Sequence, residues 1–188
     1  GGKIASLNVN LASESLKVSG IPGIGSASLK IKEFEHVAGS DTADKLVGSA
    51  LGNKLYGNGG NDTIDGGSGS DDIQGGDGND NLKGGTGKDS LSGGDGADVM
   101  DGGSGNDTIS GGNGDDVMRA SVGNDSYTFG SGNDTADYTD FYRDITLIKG
   151  GSVDKGGLGT DTFKDFTETV KATKRSNDWI DASDGFSR

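Results

Sequence analysis

From residue 57 onward, large apolar side chains arrive singly and nine residues apart: Ile64, Ile73, Leu82, Leu91, Met100, Ile109, Met118 and Tyr127, with Ala136 ending the series. The residues between them are mostly Gly, Asp, Asn, Ser and Thr. A spacing of nine matches neither the 3.6-residue period of a helix nor the alternation of a long half-buried strand. It matches an internal repeat that contributes one inward side chain per unit.

Written in nines from Gly57, the block reads GNGGNDTID, GGSGSDDIQ, GGDGNDNLK, GGTGKDSLS, GGDGADVMD, GGSGNDTIS, GGNGDDVMR, ASVGNDSYT and FGSGNDTAD. Position four is Gly throughout, from Gly60 to Gly132, and position six is Asp in all nine units. Upstream the frame continues in weaker form as GSDTADKLV from Gly39 and GSALGNKLY from Gly48, with Asp44 and Asn53 at position six and Leu46 and Leu55 at position eight. Glycines at one, two and four permit backbone angles closed to other residues, so the first six residues of each unit are expected to form a tight turn. The last three, with one inward apolar side chain, suit a very short strand. Two units then make one coil of 18 residues, and position-six carboxylates stack in two columns. One column holds Asp44, Asp62, Asp80, Asp98, Asp116 and Asp134; the other holds Asn53, Asp71, Asp89, Asp107 and Asp125.

Charge sharpens this picture. Residues 57–137 contain 16 Asp against Lys83, Lys88 and Arg119, so the whole net charge of −13 comes from this block, while the flanks are neutral. Carboxylates stacked at the ~4.8 Å spacing of strands repel unless cations lie between them. Asp oxygens and turn carbonyls favour a hard divalent ion, and calcium tolerates six to eight such ligands in flexible geometry. The columns offer five gaps and four gaps; six divalent ions would nearly neutralise the block and nine would more than do so, so six to nine ions are expected. Two buried side chains per coil cannot offset the ordering of glycine-rich backbone, so without the ion the block is expected to be an expanded chain.

The repeat resembles the RTX (repeats-in-toxin, hemolysin-type) family, whose nonapeptide is G-G-x-G-x-D-x-U-x with U large and apolar. The resemblance is close over 57–137 and looser over 39–56. It implies an all-β fold, a right-handed parallel β-roll with degenerate β capping segments at both ends. It also implies that each position-six Asp bridges two calcium ions, helped by carbonyls from positions one to four. Carried onto this chain, the carboxylate ligands are Asp44, Asp62, Asp71, Asp80, Asp89, Asp98, Asp107, Asp116, Asp125 and Asp134, joined by Asp161 and Asp178 in the C-terminal flank. The carbonyl ligands are Gly57, Gly59, Gly66, Ser68, Gly75, Gly76, Asp77, Gly78, Gly84, Gly85, Thr86 and Gly87. They continue with Gly93, Gly94, Asp95, Gly96, Gly102, Gly103, Ser104, Gly105, Gly111, Gly112, Asn113, Gly114 and Gly123. The units from Ala120 and Phe129 lack the leading glycine pair, which counts against full calcium occupancy there, and the neutral Asn53 weakens the first site of its column.

The flanks read as relatives of the repeat: an N-terminal β cap over 1–38, the roll over 39–137 and a C-terminal cap over 138–188, with no separate second domain. GGLGTDTFK (156–164) is a further full nonapeptide with Asp161 at position six, and SNDWIDAS (176–183) aligns Asp178 with that position. SLNVNLASESLKV (6–18) and ITLIKGGSV (145–153) read as strands that close the ends of the stack.

Several functions are excluded by what the chain lacks. With no Cys there is no thiol nucleophile or disulfide scaffold, and no run of apolar residues is long enough to span a membrane. GGKIASLNVN has no basic stretch followed by an apolar one, so no signal peptide is read there. The net charge argues against nucleic acid and anionic membrane as partners. Neither H-E-x-x-H nor G-x-S-x-G occurs, His36 reads as a surface or strand-edge residue, and Pro22 follows Ile21, so no Asp-Pro cleavage site exists. Trp179, Phe163 and Phe166 read as packing of the cap rather than a sugar platform.

The expected protein is therefore not an enzyme. It is a calcium-binding structural module of a larger bacterial protein exported by type I secretion, disordered without calcium and folding on extracellular calcium beside the other domains of its parent chain. The alternative is a calcium-dependent adhesive module that holds a polysaccharide or a cell surface.

Overall fold

The fold is described from a computed structural model, which describes residues 6–13, 15–21, 25–30, 35–140, 146–148, 151–164, 169–171 and 179–180. Three strands, β1 (Ser6–Asn10), β2 (Ser15–Ile21) and β3 (Gly25–Lys30), open the chain as an antiparallel set. The repeat then lays down strands alternately in two sheets. These are β4 (His36–Ala38), β5 (Lys45–Ser49), β6 (Lys54–Gly59), β7 (Thr63–Ser68), β8 (Asp72–Asp77) and β9 (Asn81–Thr86). They continue with β10 (Ser90–Asp95), β11 (Val99–Ser104), β12 (Thr108–Asn113), β13 (Val117–Arg119), β14 (Ser126–Ser131) and β15 (Thr135–Asp137). The C-terminal flank adds β16 (Thr146–Ile148), β17 (Ser152–Asp154), β18 (Thr160–Lys164), β19 (Thr169–Lys171) and β20 (Trp179–Ile180).

Odd-numbered repeat strands form one sheet, ordered β19-β15-β13-β11-β9-β7-β5-β1-β2-β3. Even-numbered ones form the other, ordered β20-β16-β17-β18-β14-β12-β10-β8-β6-β4 with β17 inserted from the flank. Within the repeat all pairs are parallel and each residue meets the one 18 positions later, as Ile64 meets Leu82 and Leu91 meets Ile109. The expected all-β parallel roll of two-unit coils is what forms, with about six turns.

The turn is shorter than the sequence suggested, and the strand longer. Strands such as Thr63–Ser68 cover positions seven to nine and run on through positions one to three of the next unit. Only positions four to six turn the corner. The three leading glycines consequently do different work. Position four is left-handed, as at Gly78 (φ 127°), and so is position two, as at Gly76 (φ 115°). Position one, as at Gly75, has no such angle; it must be glycine because other atoms crowd its α-carbon.

Position eight fills the interior. Leu46, Leu55, Ile64, Ile73, Leu82, Leu91, Met100, Ile109, Met118 and Tyr127 are all buried in one continuous core. Ala136 is buried in the same core, as are Phe129 and Tyr138 from outside position eight. Phe163 stacks on Tyr127 and Phe129 with ring centres 5.5 and 5.6 Å away. That bears out the packing reading of Phe163; the side chains of Phe166 and Trp179 lie outside the described ones.

On the outer face of the first sheet, position nine alternates in sign along the stack. Asp65, Lys83, Asp101, Arg119 and Asp137 are successive partners in register.

After β15 the nine-residue frame is interrupted for 18 residues. Residues 138–155 carry β16 and the hairpin partner β17, and the stack then resumes with β18 lying directly on β14, Phe163 against Tyr127. The nonapeptide at 156–164 thus stacks directly on 120–128, a neighbour that its sequence alone did not name.

Candidate metal-binding columns

The turns bring the position-six side chains into two buried columns with the expected membership. In each, one carboxylate oxygen accepts the backbone N–H of its counterpart in the preceding coil. Asp44 N–H donates to Asp62 Oδ1 at 2.7 Å, Asp62 to Asp80 at 2.7 Å, Asp80 to Asp98 at 2.7 Å, Asp98 to Asp116 at 2.9 Å and Asp116 to Asp134 at 2.9 Å. The second column runs from Asn53 through Asp71, Asp89 and Asp107 to Asp125 at 2.7–3.0 Å, and then on to Asp161 at 3.1 Å.

The second oxygen is treated differently. Oδ2 of Asp62, Asp71, Asp80, Asp89, Asp98, Asp107 and Asp116 is buried and receives no hydrogen bond among the described residues. A buried carboxylate oxygen without a donor costs several kcal/mol by the general scale for unpaired polar groups. Its surroundings are oxygen-rich. A Cβ built on Gly75 would collide with Asp80 Oδ2 and with the carbonyl oxygen of Gly93, and the same pair recurs at Gly57, Gly66, Gly84 and Gly93. Position-one glycine therefore keeps open a cradle between a carboxylate and the next coil's carbonyl.

Burial pushes the carboxyl groups of Asp62, Asp71, Asp98 and Asp107 up to about 6, against the backbone hydrogen bond that lowers them, and the neighbouring carboxylates add to the rise. Asp116 is pushed up to about 7 by the same causes. Asp80 and Asp89 are likewise raised by burial. A cation in the column would reverse these shifts, because it supplies the charge that burial removed from solvent. The donor set is all oxygen, with no Cys anywhere in the chain. Among the described residues no three carboxylate or imidazole side chains converge on one point, so backbone carbonyls have to complete any coordination shell.

Of the carbonyls named from the sequence, those of Gly75, Gly84, Gly93 and Gly111 come close to the position-one α-carbon of the preceding coil, beside its column carboxylate. Position-three carbonyls already accept one hydrogen bond from the preceding coil, as Asp77 does from Gly60 N–H and Asp95 from Gly78 N–H. The side chains of Asp77 and Asp95 are exposed and stand outside the columns. Asp178 lies outside the described residues. Sequence reasoning missed the position-five ladder that staples the exposed turns, in which Asn79 N–H donates to Asn61 Oδ1 and Ala97 N–H to Asn79 Oδ1. The recurring Asn at that position was the available signal.

Compared with known protein families, residues 38–73, 74–109 and 101–136 match the RTX calcium-binding nonapeptide repeat, a span of more than half the chain. The chain belongs to that family. A comparison with curated proteins gave no match. RTX repeats bind calcium and are typical of secreted proteins, and the RTX roll is a structural element. No helix among the described residues is long and apolar enough to cross a membrane.

One rung of the RTX columns is satisfied from within the protein. Lys155, fully buried, sends its ammonium between Asp125 and Asp161, 3.1 Å from Asp125 Oδ2 and 2.5 Å from Asp161 Oδ1. The same ammonium donates to the carbonyl of Ser121 at 2.6 Å. Ser121 Oγ donates to Asp125 Oδ2 at 3.2 Å, and Tyr138 Oη donates to Asp161 Oδ2 at 2.5 Å. Burial raises the Tyr138 phenol far above its ordinary value, so it stays protonated and donates. Burial also pushes Asp161 up to about 6, opposed by its hydrogen bonds to Lys155 and Tyr138. Neither Lys155 nor Tyr138 belongs to a repeat, and nothing in the period pointed to them.

Proposed function

We propose that the two columns hold six to nine calcium ions and that their binding folds the chain. Each position-six Asp gives Oδ2 to one ion and shares Oδ1 with the next, and carbonyls of positions one to four complete the shells. The observation that carries this reading is the line of buried Oδ2 atoms from Asp62 to Asp116 that receive no hydrogen bond among the described residues, most of them beside a carbonyl cradle that glycine keeps open. Ion binding then becomes folding free energy for a chain with one buried side chain per nine residues. The setting that fits is a module of a larger secreted bacterial protein that leaves the cell by type I secretion, unfolded where calcium is scarce and ordered where it is millimolar.

The test is far-UV circular dichroism during a calcium titration of EDTA-treated protein, with magnesium as control. A cooperative gain of β-signal with calcium alone, between tens of micromolar and about millimolar, is expected. A β-rich spectrum already present in EDTA would overturn the folding role.

A further inference from the structure

The rung between Asp125 and Asp161 has the oxygen set of its neighbours but a different occupant. By repeat position, the partners of the Lys155 ammonium are a position-two carbonyl (Ser121), the position-six Oδ2 of the same unit (Asp125) and the position-six Oδ1 of the next coil (Asp161). The neighbouring rung offers the corresponding atoms from Gly103, Asp107 and Asp125. There Oδ2 of Asp107 receives no hydrogen bond among the described residues, whereas Oδ2 of Asp125 receives two. The lysine stem is fully buried and its ammonium makes ion pairs with both carboxylates. Burying a lysine is costly unless its charge is paired and each N–H finds an acceptor, and three acceptors are present for three N–H groups. The leading glycine is also dispensable here: position one is Ala120, and the oxygen that a Cβ would meet elsewhere is held by Lys155 and Ser121.

We propose that Lys155 is a built-in surrogate cation that takes the place of a calcium ion between Asp125 and Asp161 and closes the second column. The idea rests on the calcium reading of the other rungs. The Tyr138 hydroxyl donates to the far oxygen of Asp161, so that oxygen is satisfied without a second cation. Calcium at saturating concentration leaves the ammonium in place, and removal of the ammonium turns the rung into an additional calcium site of ordinary type.

The experiment is native mass spectrometry of wild type and Lys155→Ala, both loaded to saturation with calcium, with circular dichroism on the same samples. The expected result is a wild-type spectrum for the variant and one more bound calcium. A folded variant with an unchanged or smaller count overturns the proposal, as does a variant that stays unfolded at every calcium concentration, since calcium then cannot replace the ammonium. A second measurement needs no variant: in calcium-loaded wild type labelled with 15N-lysine, one ammonium resonance protected from solvent exchange should persist at saturating calcium. Its disappearance, with metal displacing the ammonium, overturns the proposal. Wild type that binds no calcium at all would refute the calcium reading instead, so the two failures are distinguishable.

Discussion

Asp89–Asp107 and Asp125–Asp161 are rungs of one column, built on the same turn, yet they are neutralised by different means. In both, a backbone N–H donates to Oδ1 across the rung. At the first, Oδ2 of Asp89 and of Asp107 receives no hydrogen bond among the described residues, whereas at the second a lysine, a serine and a tyrosine of the same chain donate to the remaining carboxylate oxygens. The difference shows why the repeat itself carries no such lysine. Position one is crowded by the neighbouring carboxylate and carbonyl and positions two and four take left-handed angles, so the lysine comes from outside the nine residues. The excursion over 138–155 provides it, ending at Lys155 just before the stack resumes.

The largest contrast should appear in chelator. Amide hydrogen exchange in EDTA is expected to be fast throughout 57–116 and slower by at least tenfold at Asp125 and Thr162, whose N–H groups bond into the Lys155 rung. Equal exchange at both ends would remove the distinction. Next in size is Asp98→Asn, which weakens two adjacent rungs at once; the calcium midpoint should rise on the order of tenfold, since ligand charge sets affinity in such sites. Gly93→Ala should act similarly, because its Cβ meets Asp98 Oδ2 and the Gly111 carbonyl, whereas Ala120→Gly, at the lysine rung, should leave the midpoint nearly unchanged.

A pH titration comes next. Carboxyl groups held at about 6, or about 7 for Asp116, lie above their unfolded value, so without calcium their protonation favours the fold. That contribution is full below about pH 4 and is lost as pH rises through 6 to 7. With calcium the sign reverses, because protons compete with the metal for Oδ2, and the calcium midpoint should climb as pH falls from 7.5 to 5.5. A midpoint independent of pH over that range would show that these carboxylates are not the ligands. The smallest effect is expected at Lys54→Ala. Its exposed pair with Asp72, 4.0 Å apart, should contribute no more than about 0.5 kcal/mol to the calcium-loaded protein by thermal melting.

Most of the roll was legible because one period governs turn, core and column together. Position eight named the core side chains, and position six named both columns up to Asp134 and Asp125; Asp161 was recognised as a position-six residue, but its place on the rung next to Asp125 was not. The division of each unit into turn and strand was misjudged. Glycine permits a turn but does not locate it, and the strand runs through Gly66 and Gly67 because the ladder resumes at position two, as Gly67 against Gly85 shows. Position one was assigned glycine's conformational freedom when its reason is a crowded α-carbon, a fact that exists only once successive coils are stacked. Lys155 and Tyr138 were invisible for the same cause. Lys155 joins Asp125, 30 residues back, to Asp161, six ahead, and Tyr138 reaches Asp161 across 23 residues, so the repeat period announces neither.

The alternating charges on the first sheet bear on a hazard peculiar to monotonous sequences. Coils this alike could assemble with one of them looped out, leaving every turn and core contact nearly as good. Skipping one coil would place Asp65 against Asp101, or Lys83 against Arg119, and put like charges side by side on neighbouring strands. Only an error of two coils restores the alternation. Position nine thus gives the stack a parity, and parity lets a chain of near-identical parts count itself.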